Sequence, residues 1–217
     1  DVGVITNVSY AHAKNFKNIK QIALAKSEII NNIKDGGVLV LNADDQFYNF
    51  HKKKALKKKL KIYTFSIKNK NSNIKLNSIK KEGKKYKIFI NVNNQKTYFF
   101  TSSNFENNIM NILAALTVII IFKDINKLDK NIFYNHLIPK GRGDVSKIKV
   151  NNKNIYLIDE SYNSNPLSLN SAIKNFDMIK INNSKKHLIL GDMLELGNHS
   201  KKLHSDISQV INRTSIN

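Results

Sequence analysis

The sequence predicts an α/β fold in two parts: a mostly parallel sheet with helices and an antiparallel edge meander, then a second strand–helix region. Three observations predict it. Short, mostly β-branched runs alternate with helical periodicity as far as Ile67. From Asn73 to Thr101 the pattern changes to short alternating strands. Past a composition break at Ile138–Asp144, the apolar run Asn154–Asp159 enters a polar loop and then a helix start. That last unit places reactive groups at the carboxyl edge of a sheet.

Val2 to Thr6 reads as a buried parallel strand, closed by Asn7, with His12 in the loop beyond. Phe16 to Ile33 reads as one amphipathic helix with Ile19, Ile22, Ala23, Ile29 and Ile30 on its apolar stripe. Lys26 falls on that stripe, whereas Lys17 and Lys20 fall off it. A lysine so placed either snorkels to the edge or is turned into a site. Gly36-Gly37 ends the helix. Val38 to Leu41 is a second strand, Asn42 to Asp45 a polar turn, Gln46 to Leu60 a lysine-rich helix and Lys61 to Ile67 a third strand. Lys68 to Asn71 is a loop, and turns at Glu82-Gly83 and Asn93-Asn94 divide the meander.

Ser103 to Phe122 is apolar nearly all round from Ile109 onward, which predicts a deeply buried helix. Asn108 and Asn111 share one face of its first turns. A helix start favours anions, and amides there can read a base edge. Capping explains Asn104 but not Asn111. Asn126 to Asn135 reads as a short helix. The break at Ile138–Asp144 is the candidate domain boundary, dividing residues 1–140 from 141–217. It holds Arg142, the only arginine before Arg213. A planar bidentate donor between two glycines suits a phosphate, the alternative being a plain linker.

The loop Glu160-Ser161-Tyr162-Asn163-Ser164-Asn165 follows the strand. Asn165 is a good N-cap and Pro166 suits the first helical position. One cap is all such a turn needs, so the remaining polar groups favour a site, the alternative being a well-capped connection without chemistry. A helix from Leu167 to Ile179, a strand from His187 to Leu190 ending at Asp192, and a last helix carrying His204 complete the chain.

Composition narrows the function. Hydrophobic residues make up 41% of 217, enough for a core. No apolar run reaches the roughly 18 residues of a membrane span, so no membrane insertion is expected. The absence of cysteine excludes disulfides and cysteine chemistry and fits a reducing, cytoplasmic setting. The formal charge of +20 admits a basic nucleic-acid-binding protein. However, the charge is nearly all lysine and travels with asparagine and isoleucine, as AT-rich coding would give on any fold. Aromatic–basic interleaving of the kind found on RNA-binding sheets is missing, and no nucleic-acid partner is expected. The phosphate-loop, dinucleotide, serine-elbow and zinc-protease motifs are also missing. Pattern alone reaches a two-part α/β protein with polar groups gathered at strand ends, suited to a nucleotide.

Several stretches together resemble the Mur ligases, ATP-dependent amide-forming enzymes of peptidoglycan synthesis. Gly3-Val4-Ile5-Thr6-Asn7-Val8-Ser9-Tyr10-Ala11-His12 resembles the central-domain strand leading to a metal-binding histidine. Ala23-Leu24-Ala25-Lys26-Ser27-Glu28-Ile29 resembles the segment whose lysine becomes carbamylated. Leu41 to Asp45, Asn108 to Ala115 and Gly141-Arg142 follow in the family's order. Asp159 to Pro166 and Leu190 to Gly197 resemble the branch that adds D-alanyl-D-alanine to a UDP-MurNAc-tripeptide. A neighbouring branch, such as the ligase adding the third residue or a folylpolyglutamate synthase, is the alternative.

The resemblance implies a partial central ATPase-type sheet over 1–140 and the start of a Rossmann-like C-terminal domain over 141–217. It implies Mg²⁺ at His12 and at a carbamylated Lys26, the two catalytic positions. Asn108 and Asn111 would face the adenine of ATP, Arg142 its phosphates and Glu160 its ribose. Asn163, Asn165 and Asp192 would lie near the amino-acid substrate. A monomer is expected. The family's phosphate loop and UDP-binding domain precede the point at which this sequence begins, and Asn107 stands where the family usually has histidine. The expectation is therefore a piece of a longer ligase, inactive by itself.

Overall fold

A computed structural model describes residues 1–69, 71–135, 139–180 and 185–216. Lys70 of the expected loop and Ile138 of the expected boundary lie outside the described residues. The chain divides into two compact units, Asp1–Val8 with Ile19–His136, and Ser9–Asn18 with Leu137–Asn217.

The first unit is built on one six-stranded sheet with its strands in chain order: β1 (Val2–Ile5), β2 (Val38–Asn42), β3 (Lys61–Ser66), β4 (Ile74–Glu82), β5 (Lys85–Val92) and β6 (Gln95–Thr101). The pairings from β1 to β4 are parallel, and those from β4 to β6 antiparallel. The edge meander is thus as the alternation predicts. Its β5–β6 turn puts Asn93 and Asn94 at φ 45° and 73°, a conformation asparagine tolerates better than most residues. β2 is buried on both faces. Val38 and Val40 join one core with Phe65, Ile88, Phe99, Ile109 and Leu113. Leu39 and Leu41 join another with Ile30, Ile33, Ala55 and Leu60. This two-sided burial is why the strand reads as an uninterrupted apolar run.

The expected helix over Phe16–Ile33 is interrupted. α1 (Ile19–Lys26) and α2 (Glu28–Asn32) meet at Ser27, whose hydroxyl donates to the Leu24 carbonyl at 2.5 Å. Such back-bonding competes with the helical ladder. The buried positions are Ile22, Ala23, Ser27, Ile30 and Ile33, so Lys26 stands exposed rather than on the core-facing stripe. α3 (Tyr48–Lys57) is shorter than expected. α4 (Glu106–Phe122) buries Ile109, Ile112, Leu113, Ala114, Leu116 and Thr117, whereas Asn111 and Ala115 face out and Phe122 is 69% exposed. The predicted Asn126–Asn135 helix reduces to a 3₁₀ turn at Ile125–Lys127, capped by Asp124.

The second unit holds a hairpin of β7 (Asp144–Val150) and β8 (Lys153–Asp159), then α5 (Pro166–Met178) and α6 (Ser200–Ile211). Ile173, Met193, Leu196 and Ile207 form its core. β7 is absent from the sequence reading, although Asn151-Asn152 marks its turn, with φ 46° and 63°. The strand expected over His187–Leu190 is not formed. A strand requires a ladder partner, none of the described strands pairs with this run, and Ile189 is 93% exposed. Asp192 therefore lies in a loop.

Candidate active site

The polar loop after β8 is held in shape by the segment before β7. Gly141 N donates to Asp144 Oδ1 at 2.6 Å, Tyr162 N to the Gly141 carbonyl at 3.0 Å, and Gly143 N to the Asp159 carbonyl at 2.7 Å. Gly141 has φ 74°, and a Cβ there would lie 2.9 Å from Tyr162 N, so only glycine permits this lacing. The lacing presents Arg142 with its guanidinium carbon 4.3 Å from the centre of the Tyr162 ring.

Glu160 sits beside this arrangement. Its side chain is largely exposed, but Oε1 tucks toward Gly143, where a Cβ would lie 3.0 Å away. Partial burial, then the charges of Asp144 and Asp159, push its carboxyl up, against the pull of Arg142. Asp159 moves the other way, held low by the Ser161 hydroxyl and amide. Two adjacent carboxyls thus differ in proton affinity, with Arg142 next to the one that holds its proton more tightly.

A cleft of about 340 Å³ opens alongside, lined by Tyr10–His12, Tyr162–Asn165 and Leu194–Glu195. It brings together three residues singled out in the sequence, His12, Asn163 and Asn165. Asn165 caps α5: its Oδ1 accepts from Leu167 N and Ser168 N, both at 3.1 Å, so its amide NH₂ is the group left for other contacts. His12 Nδ1 pairs with the Glu195 carboxylate. Asp192 lines a second cleft of about 470 Å³ with Glu195 and His204. His204 Nε2 accepts from Met193 N at 3.1 Å while Nδ1 faces the Ser200 carbonyl at 2.9 Å. Asp192 Oδ1 lies 3.7 Å from the same Nε2, beyond hydrogen-bond reach.

The other three predicted residues belong to the first unit. Lys26 ends α1 and is exposed. Asn108 donates to Thr101 Oγ1 at 2.9 Å and to the Ser103 carbonyl at 3.2 Å, which leaves its Oδ1 as an acceptor. Asn111, on the next turn, is exposed. Sequence reasoning missed Tyr162 as the platform of Arg142 and Glu195 as the partner of His12. Tyr162 could have been found as the one aromatic ring in a crowded polar loop; Glu195 gave no local signal.

Among the described residues, no group of three or more histidines or acids could hold a metal. Hard Mg²⁺ is commonly held through oxygen, by one or two carboxylates with phosphate and water completing the shell; the cleft offers His12 with the Glu195 carboxylate beside it. No helix among the described residues is long and apolar enough to cross a membrane.

Residues 1–119 match the Mur ligase middle domain. The chain belongs to the Mur ligase family. It is 31% identical, over its full length, to the UDP-N-acetylmuramoyl-tripeptide–D-alanyl-D-alanine ligase of Buchnera aphidicola subsp. Baizongia pistaciae, of which it covers 45%. The fold matches crystal structures of MurF from Acinetobacter baumannii (TM-score 0.84, 23% identity, 99% of this chain and 45% of that one). It also matches MurF from Thermotoga maritima in complex with ADP (TM-score 0.82, 22% identity, 98% and 47%). The chain thus spans about half the length of the relatives it matches.

Proposed function

We propose that this chain is part of an ATP-dependent ligase that joins D-alanyl-D-alanine to the terminal carboxylate of a UDP-MurNAc-tripeptide. Residues 1–140 would serve as the ATP-binding central domain and 141–217 as the opening of the C-terminal domain, in a monomer working in the cytoplasm. The observation that carries this reading is the 31% identity along the whole chain to a ligase of that name.

In the proposed reaction ATP phosphorylates the carboxylate, and the amine of the dipeptide then attacks the acyl phosphate and expels inorganic phosphate. Arg142, oriented by Tyr162, offsets charge on the phosphoryl oxygens. Glu160 accepts from a ribose hydroxyl. Asn108 offers the adenine amino group a carbonyl oxygen, and Asn111 stands on the same helix face. Asn163, the free NH₂ of Asn165, and Asp192 contact the dipeptide. His12, and Lys26 as its carbamate, would be the residues to supply ligands for Mg²⁺. The ion, when bound, offsets phosphate charge.

The test is phosphate release from ATP by the full-length protein carrying this span, with UDP-MurNAc-tripeptide, in the presence and absence of D-alanyl-D-alanine. Release that needs the dipeptide and collapses in Lys26→Ala supports the proposal. Dependence on another amine moves the chain to another branch of the family. No release with any acceptor defeats it.

A further inference from the structure

The meander of β4, β5 and β6 has one face in the core and one turned away from it. Ile88, Ile90, Val92 and Phe99 are buried with Ile109 and Leu113 of α4. Their neighbours along β5 and β6 point to the opposite face, because side chains alternate along a strand. The register sets them side by side there. Phe89 lies opposite Tyr98, and Lys87 lies opposite Phe100 on β6 and Lys80 on β4. The Tyr98 ring centroid is 6.3 Å from that of Phe89 and 5.6 Å from that of Phe100. Lys87 Nζ stands 4.1 Å from the Tyr98 centroid, and Lys85 Nζ stands 5.4 Å from that of Phe100. Strand pairing thus assembles an interleaved aromatic and basic face from three separate strands.

Charge sets the chemistry of what this face can hold. The span Ile74–Thr101 has seven lysines and a single acid, Glu82, which faces Lys87 at 3.9 Å. We infer that the face binds a single-stranded nucleic acid, with bases stacked on Phe89, Tyr98 and Phe100 and phosphates met by Lys80, Lys85 and Lys87. A positive surface carrying rings on which successive bases stack is the recurrent basis of single-strand binding, and an antiparallel sheet is one of its platforms. Lys87 covers the rings in the free protein. An exposed cation–π contact is weaker than base stacking, so an arriving base displaces the ammonium group toward the adjoining phosphate. A duplex keeps its base faces inside the stack and cannot use the rings. A bilayer surface calls for apolar groups that reach into the headgroup layer, whereas these three rings are half-buried in the face. The inference does not rest on the ligase reading.

The experiment is fluorescence anisotropy of a labelled oligothymidylate of about 12 nucleotides, titrated with the full-length protein carrying this span over a series of salt concentrations. Excess ADP keeps any mononucleotide site filled. Binding should weaken as salt rises. Phe89→Leu and Tyr98→Leu keep the charge and an apolar side chain, and each should raise Kd about tenfold with the salt slope unchanged. Lys80→Gln should lower the salt slope by about 0.7. Thermal unfolding shows which variants are folded. Lys80 is exposed, so its variant keeps the test decisive if a ring variant does not fold: an unchanged slope overturns the inference. Failure of the wild type to bind the oligonucleotide at low salt also overturns it. So does equal binding by wild type and folded ring variants, which would reduce the face to unspecific charge. Vesicles of phosphatidylglycerol and phosphatidylcholine are the comparison. If they capture the protein more tightly than the oligonucleotide does, and the ring variants release it, the face belongs to a membrane surface and the inference fails.

Discussion

The guanidinium of Arg142 lies over the ring of Tyr162, 4.3 Å from carbon to centroid, and the two are tied through the bond from Tyr162 N to the Gly141 carbonyl. The stack is exposed, so it is worth about 0.5–1 kcal/mol. That is too little to hold the fold but enough to choose one direction for a long side chain. Tyr162→Ala is expected to lower stability by less than about 1 kcal/mol. In the full-length protein it should raise KM for ATP severalfold with a smaller effect on kcat. Tyr162→Phe keeps the ring and should behave as wild type. Steady-state kinetics with varied ATP check this; a Phe variant as impaired as the Ala variant would assign the role to the hydroxyl instead.

Glu160 gives a prediction of opposite sign for stability and for binding. Its carboxyl is pushed above the ordinary 4.5, first by partial burial and then by Asp144 and Asp159. The folded state therefore binds this proton more tightly than the unfolded state. Ionised Glu160 costs stability at neutral pH, and the cost fades as pH falls through the folded pKa toward 4.5. Glu160→Gln should stabilise at pH 7, by less than about 1 kcal/mol because the side chain is largely solvated. The gain should vanish near pH 4, and ATP binding should weaken. Urea unfolding at both pH values, with nucleotide titration at pH 7, reads all three effects.

Much of the fold was legible because it depends on local pattern. The two-sided burial of β2 reads directly from an uninterrupted apolar run, and Asn93-Asn94 announces its own turn. What was not legible depends on partners distant in sequence. Lys26 lies seven residues beyond Ile19 and so falls on the stripe of an unbroken helix, but Ser27 breaks the helix and Lys26 faces out. His187–Leu190 has the composition of a strand without a neighbour to pair with. The amide of Asn108 is claimed by Thr101 and Ser103 on the preceding strand end and loop. His12 and Glu195 are 183 residues apart, and nothing local in either segment names the other.

Asp44 organises the turn after β3. Its carboxylate accepts from the Ser66 hydroxyl at 2.7 Å and from the backbone N–H groups of Ile67, Lys68 and Asn69 at 2.7, 3.1 and 3.0 Å. Burial works against the charge, but these bonds outweigh it and hold the pKa below 3.8. A depressed carboxyl contributes stability that is fully present above the unfolded pKa and lost as pH falls through the folded one. Asp44→Asn should cost about 2 kcal/mol at pH 7, since a neutral amide replaces a charged acceptor of four bonds. The cost should shrink below about pH 3. Chemical unfolding across pH 2–7 checks it; a cost independent of pH would mean that shape, not charge, holds the turn.

His51 is 1% exposed, and its Nε2 donates to the Ala23 carbonyl at 3.1 Å, which joins α3 to α1. Burial is the main force on its pKa and pushes it below 6.5. Lys54 and Lys26 push the same way, while the Ala23 bond and Asp45 oppose them. The ring is thus neutral in the fold at pH 7. Between the folded and unfolded pKa values the unfolded chain binds the extra proton, so stability is full above 6.5 and declines as pH falls through that window, levelling below the folded pKa. His51→Gln retains a neutral donor but cannot titrate. It should lose about 1 kcal/mol or more of packing at pH 8, yet show a flatter stability profile than wild type between about pH 7 and 5. If the two profiles run parallel through that range, the acid sensitivity belongs to other groups and His51 is only a packing residue.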